Sequence, residues 1–128
     1  DAPYSAIVKP QQLSANRAIF SGYSDSYTNW FRHWFGITAP FMEVDLNAQV
    51  EEFMLASGKD IWTIVPASVA LKYEKNSLLT RRELMDAPSD RIIYYLLKAD
   101  ASPVSYVHEF IRLLKAAIID MPGITSML

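Results

Sequence analysis

Three short stretches of this chain combine hydroxyls, small residues and a carboxylate or carboxamide where an apolar run gives way to a helical one. They are Ser21-Gly22-Tyr23-Ser24, Val44-Asp45-Leu46-Asn47 and Val65-Pro66-Ala67-Ser68. The free amides and the dipole of a helix N-terminus favour an anion or a polar group at such places. In α/β sheets the carboxyl ends of parallel strands also lie together, and ligands bind there. Gly22, Tyr23, Ser24, Asp45, Asn47, Pro66, Ala67 and Ser68 are therefore the candidate binding residues. Ser24, Asp45 and Ser68 are equally of the types preferred as plain helix caps, and at any one junction capping explains them. Their recurrence at three junctions of one sheet edge is what points to a cleft. Asp25 and Asp45 would repel an anion, so for a carboxylate ligand these charges must cap or point away.

Other catalytic constellations are thin. His33 and His108 are the only histidines, each on a predicted helix and in no metal-ligand spacing. They read as solvated or helix-packing residues. Glu51 and Glu52 are adjacent on a helix, so their side chains diverge and form a solvated face rather than a carboxylate pair. No nucleophile elbow, phosphate-cradling glycine loop or dinucleotide fingerprint is present. The absence of cysteine excludes disulfides, thiolate metal sites and a cysteine nucleophile, and permits a reducing cytoplasm. With 12 Lys and Arg against 14 Asp and Glu, the chain lacks the basic excess that phosphate neutralisation requires, which argues against direct nucleic-acid binding. No apolar run approaches the roughly 20 residues of a membrane span, and the N-terminus has no signal-peptide pattern. The composition, 51% hydrophobic over 128 residues, supplies the core of one globular domain spanning 1–128.

The elements that must position the junctions follow from apolar periodicity. Short extended runs alternate with helical ones, which is the signature of βαβ units and of an α/β fold with a mixed, mostly parallel sheet flanked by helices. Strands are expected at Tyr4 to Val8, Arg17 to Ser21, Pro40 to Val44 and Ile61 to Val65. The last is continuous and β-branched, as a central strand buried on both faces should be, and Trp62 within it reads as core rather than as a ligand-stacking ring. Leu78 to Leu84 is a possible edge strand, Asp86 to Asp90 a loop, and Arg91 to Lys98 a further strand. Helices are expected from Tyr27 to Phe35, capped by Asp25 or Ser26 and closed by Gly36; around Val50, Phe53 and Met54, closed by Gly58; and from Pro66 or Ser68 through Tyr73. The first presents Trp30, Phe31, Trp34 and Phe35 as one aromatic face, with Arg32 and His33 opposite. Ser102-Pro103 starts a last helix whose stripe is Val104, Val107, Phe110, Ile111, Leu114 and Ile118, stopped by Met121-Pro122-Gly123.

The run Phe41-Met42-Glu43-Val44, a helix, then Leu55-Ala56-Ser57-Gly58 to Ile61-Trp62-Thr63-Ile64-Val65-Pro66-Ala67-Ser68-Val69-Ala70 resembles the effector-binding region of LysR-type transcriptional regulators. Arg91 to Lys98, Ser102-Pro103 and the helix with Phe110-Ile111 resemble that family's final strand and C-terminal helix. The likeness covers most of Ile7 to Ile119. It departs where the family usually places a second glycine two residues after the first, a position held here by Asp60, and the interval from Gly58 to Pro66 is a residue longer than usual.

The resemblance implies a fold like one lobe of a type 2 periplasmic binding protein, with contacts to a small-molecule effector at the three junctions. It implies a non-enzymatic, cytoplasmic ligand-sensing module without cofactor or metal, the second effector subdomain plus a returning C-terminal helix. The DNA-binding domain and first subdomain would be absent, so DNA would be reached only through that N-terminal domain. A homo-oligomer through the helix containing Phe110 and Leu114 follows from the missing cover of that helix. Two rivals belong to other classes: a lobe of a secreted solute-binding protein, and a small enzyme using His33 or His108 with a nearby carboxylate.

Overall fold

The computed structural model describes residues 6–45, 47–58, 60–73, 75–76, 78–94, 96 and 105–125. Its strands are β1 (Ile7–Val8), β2 (Ile19–Phe20), β3 (Met42–Glu43) and β4 (Glu83–Leu84); its α-helices are α1 (Asp25–Phe35), α2 (Val50–Ala56), α3 (Ala67–Tyr73) and α4 (Ser105–Ile119). This is a mixed α/β chain with short strands. Every strand pair among the described residues is parallel.

The part that organises the molecule is centred on β2. On one side β3 pairs with it, the Met42 amide donating to the Ala18 carbonyl (3.2 Å) and the Val44 amide to that of Phe20 (2.9 Å). On the other side Trp62 forms a parallel bridge to Ala18. There the Ile19 amide donates to the Trp62 carbonyl (2.9 Å) and the Trp62 amide to that of Arg17 (3.1 Å). The chain leaves β2, passes through α1 to β3, then crosses back through α2 to Trp62 on the opposite flank. The strand order therefore reverses at β2.

Side chains alternate across this small sheet with the period of two that pleating imposes. Ala18 and Trp62, with Phe20 and Ile64, join Tyr27, Trp30 and Phe31 of α1 in an aromatic cluster. Ile19 and Val44, with Met42 and Ile61, join Val50, Phe53 and Met54 of α2 in an aliphatic one. Each helix thus covers one face, as crossovers of one hand to opposite sides require. The aromatic cluster is knit by ring contacts: Phe20 and Phe31 meet edge-on with centroids 4.9 Å apart, and Tyr23 stacks on Tyr27 at 4.9 Å. Arg32 and His33 are both exposed, but Arg32 does not lie opposite the aromatic face as expected: it borders the same hollow as Phe20, Phe31 and Glu43.

Several expectations need correcting. Ile61 to Val65 is not the central strand. Trp62 alone of that run is buried and bridged, and β2 is central instead. The small residues around β2 explain this: Ala18 (0% exposed) and Ser21 (2%) let the aromatic layer and the α2 side approach closely, where branched residues would hold them apart. The cap of α1 is Ser24 rather than Asp25 or Ser26, and the helix begins two residues earlier than its apolar face suggests. Ser57 rather than Gly58 ends α2. Of the expected strand from Arg91 to Lys98, residues 91–94 and 96 carry no strand pairing and are exposed; the other positions, Lys98 among them, lie outside the described residues, as do Tyr4, Val104 and the Ser102-Pro103 start.

Gly36 does close α1, at φ 60°, with its amide donating to the Arg32 carbonyl (2.8 Å). Asp60 also adopts a left-handed φ of 68°, the conformation glycine would take freely and aspartate tolerates better than most residues. Its carboxylate lies 3.1 Å from the Arg17 guanidinium, across the gap between the strand ends. The β1–β4 pair forms a second small parallel ladder, with the Met85 amide donating to the Val8 carbonyl (2.9 Å). The segment after β4 is fastened to α1: Trp30 Nε1 donates to the Asp86 carbonyl (2.5 Å) and the Ser89 amide to Ser26 Oγ (3.0 Å).

Candidate functional site

Parallel pairing on both flanks of β2 carries three segments off one edge of the sheet: Ser21 onward, Val44 onward and Thr63 onward. At the first, Ser21 is buried and its carbonyl accepts the Tyr23 amide (2.8 Å), a tight turn that swings the chain into α1. Gly22 is exposed, and the nearest atoms to a Cβ there would be those of Phe20 at 3.4 Å and Thr28 Oγ1 at 3.7 Å, ordinary contact distances. Its small size is not a packing requirement. Ser24 is committed to capping: its Oγ accepts the Tyr27 amide (3.1 Å), and its carbonyl accepts both the amide and the hydroxyl of Thr28.

At the second segment Asp45 sits exposed on a bend, and Asn47 opens the turn of 3-10 helix that leads into α2. Neither Asp25 nor Asp45 has a hydrogen-bond or ion-pair partner among the described residues, and Asp25 lies in the first turn of α1, where the helix dipole favours its charge. At the third, Thr63 Oγ1 ties back to the Ile19 carbonyl (2.9 Å), and the Pro66 carbonyl accepts the amides of Val69 and Ala70 (both 3.0 Å). Pro66 thereby starts α3 without any side-chain cap from Ser68.

The turn at Gly123 packs onto this helix start. A Cβ at Gly123 would stand 2.6 Å from the Ser68 amide nitrogen and 3.0 Å from the Ala67 carbonyl carbon, and φ is 78°. Only glycine fits that approach. The amide end of α3 is therefore partly covered by the chain's own C-terminal turn, which sets Ala67 and Ser68 apart from the open edge formed by the other two segments and Pro66.

The phenols add a second feature. Burial pushes the Tyr23 hydroxyl above its ordinary pKa, partly offset by the positive charge of Arg91. Arg91 is thus a cation near the first segment that sequence spacing could not reveal, since only the tertiary path of the segment after β4 brings it there. Tyr27 is fully buried, its pKa is raised by burial and then by Tyr23, and its hydroxyl has no hydrogen-bond partner among the described residues. An unsatisfied buried hydroxyl destabilises a fold by about 1–3 kcal/mol. Tyr27→Phe should therefore raise stability by about 1 kcal/mol, read as a higher urea midpoint with an unchanged slope; a lower midpoint would show that the hydroxyl has a bound partner.

Both histidines are exposed; His33 meets the edge of Trp34 with centroids 5.1 Å apart. Among the described residues there is no group of three or more His, Asp or Glu that could hold a metal ion, and no helix long and apolar enough to cross a membrane. The chain matches no protein-family model, no curated protein and no solved structure.

Proposed function

We propose that this chain is a ligand-sensing module of the kind its sequence resembles, the second effector-binding subdomain of a LysR-like regulator, which takes a small polar metabolite at the carboxyl edge of the β2-centred sheet. The observation that carries this reading is the reversal of strand order at β2. A sheet whose crossovers depart to opposite sides opens a crevice where the two departing chains separate, and that crevice is the common ligand position in open α/β sheets. Gly22, Tyr23, Asp45 and Pro66 flank it, with Arg91 as the added cation. Sensing requires the ligand to bind two conformations with different affinity, and a cleft closed by a second lobe is the natural device for that.

Backbone amide shifts during titration with a panel of small carboxylates, sugars and amines test the reading. Perturbations concentrated at Gly22, Tyr23, Ser24 and Asp45 are expected. A panel whose ligands perturb none of these while shifting other parts of the chain would overturn it.

The proposal also includes assembly through α4. Val107, Ile111 and Ile118 are half-buried, whereas Phe110 is 65% and Leu114 42% exposed, so the helix has cover along only part of its apolar arc. Soluble monomers seldom leave such a stripe open. Light scattering over a concentration series is expected to show self-association that Phe110→Glu abolishes. A wild-type chain that stays monomeric throughout would remove this part of the reading.

A further inference from the structure

On the α1 face of the sheet lies an open cavity of about 320 Å³, separate in its lining from the edge described above. Its wall on α1 is one row of the helix, Thr28, Arg32 and Gly36, each a turn apart. Its floor is the edge-on pair of Phe20 and Phe31, and its far side is Glu43 with the connection through Thr38 and Pro40. Glu43 is the register partner of Phe20. Because Met42 and Val44 face the aliphatic cluster, alternation brings Glu43 to the same sheet face as the aromatic floor. Gly36 must be glycine here for its backbone, and no atom beyond its chain neighbours lies within 4 Å of where its Cβ would be, which leaves that end of the cavity open.

Two opposite charges therefore line one apolar-floored hollow. Neither Arg32 nor Glu43 has an ion-pair or hydrogen-bond partner among the described residues, although both border the same space. The volume lies at the lower end of small-molecule sites, which run from about 300 Å³ upward. An arginine fork suits a carboxylate, a glutamate suits an ammonium, and an aromatic floor suits an apolar side chain.

We propose that this cavity binds a free α-amino acid with an apolar side chain, its carboxylate on Arg32, its ammonium on Glu43 and its side chain over Phe20 and Phe31. None of the cavity's lining residues belongs to the sheet edge, although Phe20 and Thr28 adjoin Gly22. The charge separation across the hollow selects zwitterions over simple acids or amines of the same shape.

Amide-shift titration of the chain with L-phenylalanine and L-leucine tests this, with N-acetylphenylalanine and phenylalaninamide as probes lacking one charge each. Saturable shifts at Thr28, Phe31, Gly36 and Thr38 are expected, with each blocked probe weaker by about tenfold, the scale of one lost charge-assisted hydrogen bond. Arg32→Gln should abolish the preference for phenylalanine over its amide, and Glu43→Gln the preference over its N-acetyl form. Both side chains are exposed, and the wild-type discrimination between probes decides the matter even if a variant fails to fold. No saturable shift up to roughly 10 mM, equal binding of blocked and free forms, or shifts confined to Gly22, Tyr23 and Asp45 would each overturn the proposal; the last would leave the sheet-edge reading standing.

Discussion

Ile19→Asp is expected to abolish the folded state. Ile19 is wholly buried, opens the central strand, and packs with Val44 and Val50. The substitution removes about 1.5–3 kcal/mol of apolar burial and places a carboxylate where no described group can pair with it, at a further cost of several kcal/mol. Small domains have roughly 5–15 kcal/mol in total. Circular dichroism and urea unfolding would show loss of the cooperative transition, whereas the same change at half-buried Ile64 should leave a folded, weakened protein. A cooperative Ile19→Asp variant, or an Ile64→Asp variant that is the worse of the two, would contradict the placement of β2 at the centre.

Trp62→Ala should cost about 3–5 kcal/mol, the usual range for deleting a large buried aromatic. Trp62 is 7% exposed, packs against Phe31 and Phe35 with centroids 6.3 and 5.6 Å away, and donates from Nε1 to the Ser14 carbonyl at 2.9 Å. It also carries the bridge to Ala18, so the void would form where the second flank of β2 is held. Trp62→Phe separates the contributions, since it keeps most of the packing and loses the indole hydrogen bond, worth about 1 kcal/mol. Equilibrium denaturation of both variants is the measurement. An alanine variant within about 1 kcal/mol of the parent would refute the core role of Trp62.

Much of this was legible in the residues alone, for reasons that differ between elements. The aromatic face of α1 was readable because four large rings at helical spacing admit one arrangement, and the Gly36 stop because φ above zero suits glycine. Short parallel strands do lie within Arg17 to Ser21 and Pro40 to Val44, but only as Ile19–Phe20 and Met42–Glu43, with Arg17 in a 3-10 turn, and the central strand is β2 rather than Ile61 to Val65. Branched apolar residues signal burial on both faces, yet Ala18 and Ser21 reach deeper burial by being small, a property of their neighbours more than of themselves. Arg91 to Lys98 has strand composition, but composition supplies no pairing partner, and its described residues have none.

At the site, the hydroxyls were legible as caps, and Ser24 is one. Arg91 beside Tyr23, the Gly123 turn over Ala67 and Ser68, and the presence of Arg32 and Glu43 on one hollow were not. Each depends on two segments far apart in the chain meeting in space. Arg32 in particular reads from its helix as an outward residue, and only the strand opposite turns that outward side into one wall of a hollow.

The parallel pairing at β2 has a consequence for how the chain folds. Strands of two residues cannot hold together by their ladder, and each of these pairs closes only after a whole helix-containing excursion has been made. The loop-closure entropy must be met before any ladder hydrogen bond forms, so folding should be slow for so small a chain and should begin from contacts other than the strands. The rings of α1 gathering on Phe20 are local enough to serve as that nucleus. Trp62, which follows α2 in the chain, is expected to reach Phe31 only after that nucleus has formed.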